Sequence, residues 1–184
     1  APDKRMAFAW KRANPVGSLR LLASHTQLLG LSAVNFLGGL AHQVLPTVFV
    51  LYAGYRYGWK EETVGLTLAL VGICSAIVQG ALVGPAVARL GERRTLIAGL
   101  VCGAVGMAIY GLAPTGAWFW AGIPVMALWG LASPATQSLM SGRVGADEQG
   151  QLQGALSALR GLTGLVGPGL FTLTFAAAIA GDRS

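Results

Sequence analysis

The sequence predicts an all-α membrane protein with five transmembrane helices, and three observations carry that prediction. Apolar residues make up 54% of the 184 positions and charged residues only 11%. A water-soluble domain covers its surface with roughly 25% charged residues. The apolar residues also fall in runs long enough to cross a hydrocarbon core of about 30 Å, which takes about 20 residues of helix. Finally, the 27 glycines, roughly twice the usual share, lie largely inside those runs and show no three-residue period. Small residues let packed membrane helices approach closely, and a collagenous chain is excluded.

The five runs cover residues 28–53, 63–86, 96–113, 118–140 and 152–180. The fifth is long enough to tilt or break, and Gly167-Pro168-Gly169 is where a break is expected. Residues 1–20 carry charges but no apolar core, so they do not read as a signal peptide. They look like a linker entered midway, and the 184 residues are expected to be part of something longer.

The basic residues set an expected orientation. Lys4, Arg5, Lys11, Arg12, Arg20, Arg89, Arg93, Arg94 and Arg143 fall on one side of the spans. Only Arg56, Lys60 and Arg183 fall on the other, where Glu61 and Glu62 lie beside two of them. The positive-inside rule places the N-terminus in the cytoplasm and the C-terminus outside. Tyr52, Tyr55, Tyr57, Trp59, Trp118 and Trp120 cluster near the outer boundary, as an interfacial belt would. The net charge of +6 has no basic face or aromatic interleaving behind it, so no nucleic-acid partner is expected. Cys74 and Cys102, each within an apolar run, read as buried free thiols.

Every acidic residue (Asp3, Glu61, Glu62, Glu92, Asp147, Glu148 and Asp182) falls in an expected loop or terminus. A carboxylate that loads and releases a proton within the membrane, the usual device of proton-coupled transporters, is therefore not in these spans. The intramembrane polar residues are Asn35, His42 and Gln43 in the first span, with Ser75 and Gln79 in the second. Ser133, Thr136 and Gln137 occupy the fourth, and Gln153, Ser157, Arg160 and Thr163 the fifth. The last set shares one helical face. Arg160 lies roughly 15 Å deep at 1.5 Å per residue, where exposure to lipid is costly, so that face is expected to meet protein or a watery cavity. A lone Gln or Ser reads more readily as an interhelical hydrogen bond than as a substrate contact. Arg160 and His42 stay open between structural and functional roles, and Trp129 reads mainly as packing. No metal-ligating cluster, phosphate loop or nucleophile with a base is present, so neither an enzyme nor a cofactor is expected.

The segment Gly84-Pro-Ala-Val-Ala-Arg89-Leu-Gly91-Glu-Arg93-Arg94 resembles the cytoplasmic loop motif of the major facilitator superfamily, with Ala88 where an acid often stands. In that segment Gly84 is expected to permit close helix contact and Gly91 a tight turn. Gln149-Gly-Gln-Leu-Gln153-Gly154, Gly167-Pro168, Pro134-Ala-Thr-Gln137, and Gln43-Val44 with Arg56 and Trp59 downstream resemble the tetracycline-exporter branch of its drug:proton antiporters. The resemblance implies a partial six-helix half, with the five spans as the seventh to eleventh helices of twelve. Residues 1–20 would then end the central cytoplasmic loop, residues 21–180 form the transmembrane domain, and residues 181–184 begin an outer loop before an absent last helix. It also implies alternating access in a bacterial inner membrane, with proton-driven export of a lipophilic small molecule. Asn35, His42, Gln43, Gln79, Trp129, Ser133 and Gln137 would then form the substrate-binding set. Gly84, Arg89, Gly91, Arg93 and Arg94 would form the cytoplasmic gate, and Arg160 an intramembrane charge. The partners implied are a small-molecule substrate, protons, the bilayer and the N-terminal half. Gly103 and Ser75 stand where that branch has an aspartate and a histidine, which argues against tetracycline being handled in the family's manner. An importer of a metabolite and a non-transporting five-span scaffold remain alternative readings.

Overall fold

The computed structural model describes residue 22 and residues 26–182. Lys4, Arg5, Lys11, Arg12, Arg20 and Arg183, on which the expected orientation partly rests, lie outside the described residues. Within residues 26–182 eight α-helices are seen: α1 (Thr26–His42), α2 (Val44–Tyr57), α3 (Glu61–Ile77), α4 (Val83–Leu90), α5 (Glu92–Leu112), α6 (Gly116–Ala127), α7 (Ala132–Ser141) and α8 (Gln149–Asp182). A π-helical segment (Val78–Leu82) joins α3 to α4, and a 3₁₀ segment (Leu128–Leu131) joins α6 to α7. These elements make five spans long and apolar enough to cross a membrane: Gln27–Tyr57, Glu61–Leu90, Glu92–Leu112, Gly116–Ser141 and Gln149–Gly181. Leu37, Leu66, Leu112, Leu165 and Leu173 are largely exposed on the outside of the bundle, as an acyl-chain solvent requires.

Proline and glycine chemistry explains where the spans bend. Pro46 has no N–H, so the carbonyl of His42 loses its α-helical donor. The chain responds with a turn at Gln43, whose N–H bonds the Leu40 carbonyl at 3.0 Å, and α2 starts at once. The π segment lies just before Pro85, and its widened ring is closed by the Val83 N–H on the Val78 carbonyl. The 3₁₀ segment lies between Pro124 and Pro134, and Pro134 removes the donor for the Gly130 carbonyl. The break expected at Gly167-Pro168-Gly169 does not occur: α8 runs unbroken through Pro168. Membrane helices tolerate such a proline where neighbouring helices hold the segment, and here α1 and α2 pack along α8. The breaks fall instead in the first, second and fourth spans.

Glycine does its packing in the third span. Cβ atoms at Gly99, Gly103 and Gly106 would lie 2.7 Å from Ala132 N, 2.7 Å from the Trp129 ring and 2.8 Å from Met126 Cα. This small-residue stripe lets α5 lie directly against the fourth span.

The expected aromatic belt is partly a core. Phe119 is buried at one end of the bundle and stacks on Tyr110, with ring centroids 4.0 Å apart. Phe49, Tyr57 and Trp59 gather around it. The Tyr52 and Tyr57 hydroxyls donate to the carbonyls of Tyr110 (3.1 Å) and Ala113 (3.0 Å). Tyr55, Trp118 and Trp120 are the exposed members. The α2–α3 turn at this end is closed by Gly58 in the left-handed region, with Gly58 N–H on Gly54 (3.0 Å) and Trp59 N–H on Ala53 (3.3 Å). The Gly58 bond is the 5→1 bond of an αL C-cap, and Glu61 and Glu62 in the first turn of α3 complement that helix's dipole. At the opposite end Leu22, Leu28, Met140, Leu152 and Leu156 form a second core. Cys74 and Cys102 are free and half-buried.

Candidate functional site: an open cavity at three helix interruptions

A cavity of about 740 Å³ lies between the first, second, fourth and fifth spans. It sits at the level where three of those spans depart from α-helical geometry. The 3₁₀ and π segments abut there: a Cβ on Gly130 would lie 3.6 Å from Val78 Cγ1 and 3.9 Å from Gln79 Cγ. Across from them the helix break presents His42, whose ring centroid is 5.2 Å from that of Trp129. Interrupted helices turn polar groups toward a cavity that a regular helix would keep internally bonded.

The structure brings the expected binding set to this one cavity. Asn35 and His42 come from α1, Gln43 from the turn, and Gln79 from the π segment. Trp129 comes from the 3₁₀ segment, and Ser133 and Gln137 from α7. Arg160 on α8 also lies on the wall. Gln43 is pressed against α8, where Cβ atoms at Gly164 and Gly167 would lie 3.5 Å from its Nε2 and 2.7 Å from its own Cβ. Gln137 Nε2 donates to Gln153 Oε1 at 3.3 Å, and the Thr163 hydroxyl donates to the Arg160 carbonyl at 2.9 Å. His42, Gln79, Ser133 and Arg160 remain exposed in this chain, so the cavity is an open trough. Among the described residues its lining contains no Asp or Glu, and no group of His, Cys, Asp and Glu has metal-binding geometry.

Some lining residues carry no polar signal. Gly38, Gly39 and Gly130 shape the trough where helices approach closely, and the adjacent Gly38-Gly39 pair just ahead of His42 is the feature that marks it. A second chamber of about 520 Å³ lies toward the aromatic end, walled by Pro46, Phe49, Tyr110, Phe119, Ile123 and Met126. It shares His42, Gln79, Trp129 and Gly130 with the first, so the His42–Trp129 pair stands between the two. Its rings are ordinary core residues by sequence, and a reading based on polar residues passes over them. Ser75 lines this chamber, while Gly103 lies beneath the Trp129 indole.

The loop motif is a separate unit at the other end of the second and third spans. Gly91 forms the link between α4 and α5 with φ 77° and ψ 161°, a conformation essentially reserved for glycine. Its carbonyl accepts from the Thr95 hydroxyl at 2.9 Å. Arg89 lies in the last turn of α4, the favourable end of the dipole. Arg93 and Arg94 are exposed in the first turn of α5, and Glu92 accepts from the Ser138 hydroxyl. Gly84 does not make the expected close helix contact: nothing lies within 4 Å of a Cβ placed there. Its helix turn is exposed among the described residues, because the adjacent π segment carries the contact with the fourth span.

Comparison with known proteins agrees with this architecture. Residues 2–168 match the family profile described as Major Facilitator Superfamily. The chain is 38% identical over 177 residues to the class C tetracycline resistance protein of Escherichia coli, covering 95% of this chain and 44% of that protein. It is 37% identical over 169 residues to the class G protein of Vibrio anguillarum, covering 90% and 42%. It is 34% identical over 150 residues to the Escherichia coli class E protein, covering 82% and 37%. The chain thus spans less than half the length of the curated relatives it matches. No solved structure matches it. With five membrane-length helices around a polar trough and a family match over most of its length, the chain belongs to the major facilitator superfamily.

Proposed function

We propose that this chain is the C-terminal half of a proton-coupled efflux antiporter for a lipophilic small molecule, working by alternating access in a bacterial inner membrane. The observation that carries the reading is the open trough: polar side chains from four spans converge on one side of the bundle at the level of the helix interruptions. A six-helix half facing it would complete a midplane site, and the two halves would rock around that site. The relatives named for tetracycline resistance favour export over import. Asn35, His42, Gln43, Gln79, Trp129, Ser133 and Gln137 would contact substrate. Arg89, Gly91, Arg93 and Arg94 would serve the cytoplasmic gate, with Gly84 in the adjoining turn. The N-terminus would face the cytoplasm. No acid lines this trough among the described residues, so the proton-carrying carboxylate of such an antiporter would lie outside these spans.

The test is transport by the intact protein in everted vesicles, with and without a proton gradient. Gradient-driven uptake of a lipophilic compound into the vesicles, lost in Gln43→Ala and Gln137→Ala variants, supports the reading. In Arg89→Ala, binding is expected to persist while transport falls, and full transport in that variant sinks the gating role. Accumulation in the opposite direction, driven by the same gradient, would establish import instead.

A further inference from the structure

The wall of the trough carries one formal charge among the described residues, the Arg160 guanidinium. Nothing described neutralises it: no carboxylate lines the cavity, and the Arg160 side chain has no hydrogen-bond or ion-pair partner among the described residues. The other polar groups nearby are amides and an imidazole. Gln43 Nε2 lies by Gly164, one helical turn along α8 from Arg160. Gln137 donates from the adjoining wall, and His42 faces the same space. A guanidinium roughly 15 Å into a bilayer at helical rise is costly without a counter-ion. Its planar fork matches a carboxylate bidentately.

We propose that Arg160 is the receptor for an anionic group on the transported molecule, so that this transporter selects carboxylate-bearing amphiphiles over lipophilic cations. The anion sits against Arg160 with the Gln43 amide beside it. The apolar body of the molecule lies along Trp129 toward the aromatic chamber of about 520 Å³. This rests on the transport reading above and adds the charge class of the substrate. A cation would meet an unpaired guanidinium on this wall and would have to find its counter-charge elsewhere.

The experiment uses the purified intact protein in detergent and, separately, reconstituted in vesicles. The probes are a fluorescent aromatic carboxylate and a lipophilic cation of matched size. Equilibrium binding of the carboxylate is expected to be at least ten-fold tighter than that of the cation. Arg160→Gln should weaken carboxylate binding ten-fold or more, Arg160→Lys should retain most of it, and Arg160→Glu should reverse the preference. Binding of a neutral analogue should change less than three-fold in Arg160→Gln. Carboxylate binding that is unchanged in Arg160→Gln overturns the proposal. So does equal loss of the carboxylate and the neutral analogue, which would mean that Arg160 pairs with an acid of the facing half. Arg160-dependent carboxylate binding without transport in vesicles would uphold the anion site and defeat the antiporter reading, so the two failures are distinguishable.

Discussion

Replacing Gly103 with alanine tests how the trough's wall is built. A Cβ at this position would lie 2.7 Å from Trp129 Cδ2 and Cγ and 3.1 Å from Cδ1, against the roughly 3.5–4.0 Å of relaxed carbon contacts. The indole would have to retreat by about 1 Å, and the atoms struck are those next to its backbone, so ring rotation cannot absorb the clash. Moving away from Gly103 carries it toward His42 and Gly38, that is, into the trough. Overpacking of this kind costs about 1–3 kcal/mol, while Gly→Ala in a helix interior gains about 1 kcal/mol. The net expectation for Gly103→Ala is a loss of about 0–2 kcal/mol. In a Trp129→Leu background the clash is gone and the same substitution should stabilise. Unfolding in mixed micelles by titration with denaturing detergent should therefore give a coupling energy of about 1–3 kcal/mol in the double-mutant cycle. Gly72→Ala, with nothing within 4 Å of its Cβ, serves as a control and should be neutral or stabilising. Additivity within about 0.5 kcal/mol would refute the coupling between Gly103 and the indole. The same geometry bears on the departure at this position. An aspartate at residue 103 would put its Cβ against the ring, so Gly103 and the present placement of Trp129 go together.

Further expectations follow from other sites. Gly91→Ala forces a side chain into a glycine-only conformation and should cost about 1–3 kcal/mol. Gly58→Asn, at φ 63° and ψ 28°, should cost less than about 1 kcal/mol, since asparagine adopts the left-handed region; thermostability measured by size-exclusion chromatography would rank the two. Trp120→Phe removes the indole N–H bond to the buried Thr67 hydroxyl (2.9 Å) and should cost about 1 kcal/mol while leaving substrate affinity unchanged. Pro46→Ala restores a donor for the His42 carbonyl. It should straighten the first span, and pulsed spin-label distances between the ends of that span should lengthen as transport falls. Unchanged distances would mean that the proline does not cause the bend.

The spans were legible because the bilayer is a demanding solvent. It requires long apolar runs, and four of the five runs expected from the sequence lie within an observed span, while the run 96–113 overruns Leu112 by one residue. The polar residues of the cavity were legible for the same reason: Gln43, Gln79 and Gln137 stand out in runs that are mostly apolar, and they gather in one place. What composition could not supply was which prolines break their helices. Pro168 looked the strongest breaker because glycines flank it, yet α8 runs unbroken through it where α1 and α2 pack on it, whereas the first span is interrupted just before Pro46. That outcome depends on which neighbours pack on the helix, a property of the assembled bundle. The aromatic chamber was hidden for a related reason. Phe49, Tyr110 and Phe119 come from three different spans, and no local pattern tells a ring lining a cavity from one filling a core.

The prolines that shape the trough also free its main chain from the α-helical pattern. Pro46 and Pro134 strip the α-helical donors from the carbonyls of His42 and Gly130, and both residues lie on the cavity wall. A carbonyl without a donor inside a membrane costs several kcal/mol unless something bonds to it. Any partner these two acceptors take must therefore come from outside the α-helical pattern: a tighter turn, water, or an arriving molecule. A ligand can thus be read partly by main-chain oxygens, which side-chain substitution cannot delete.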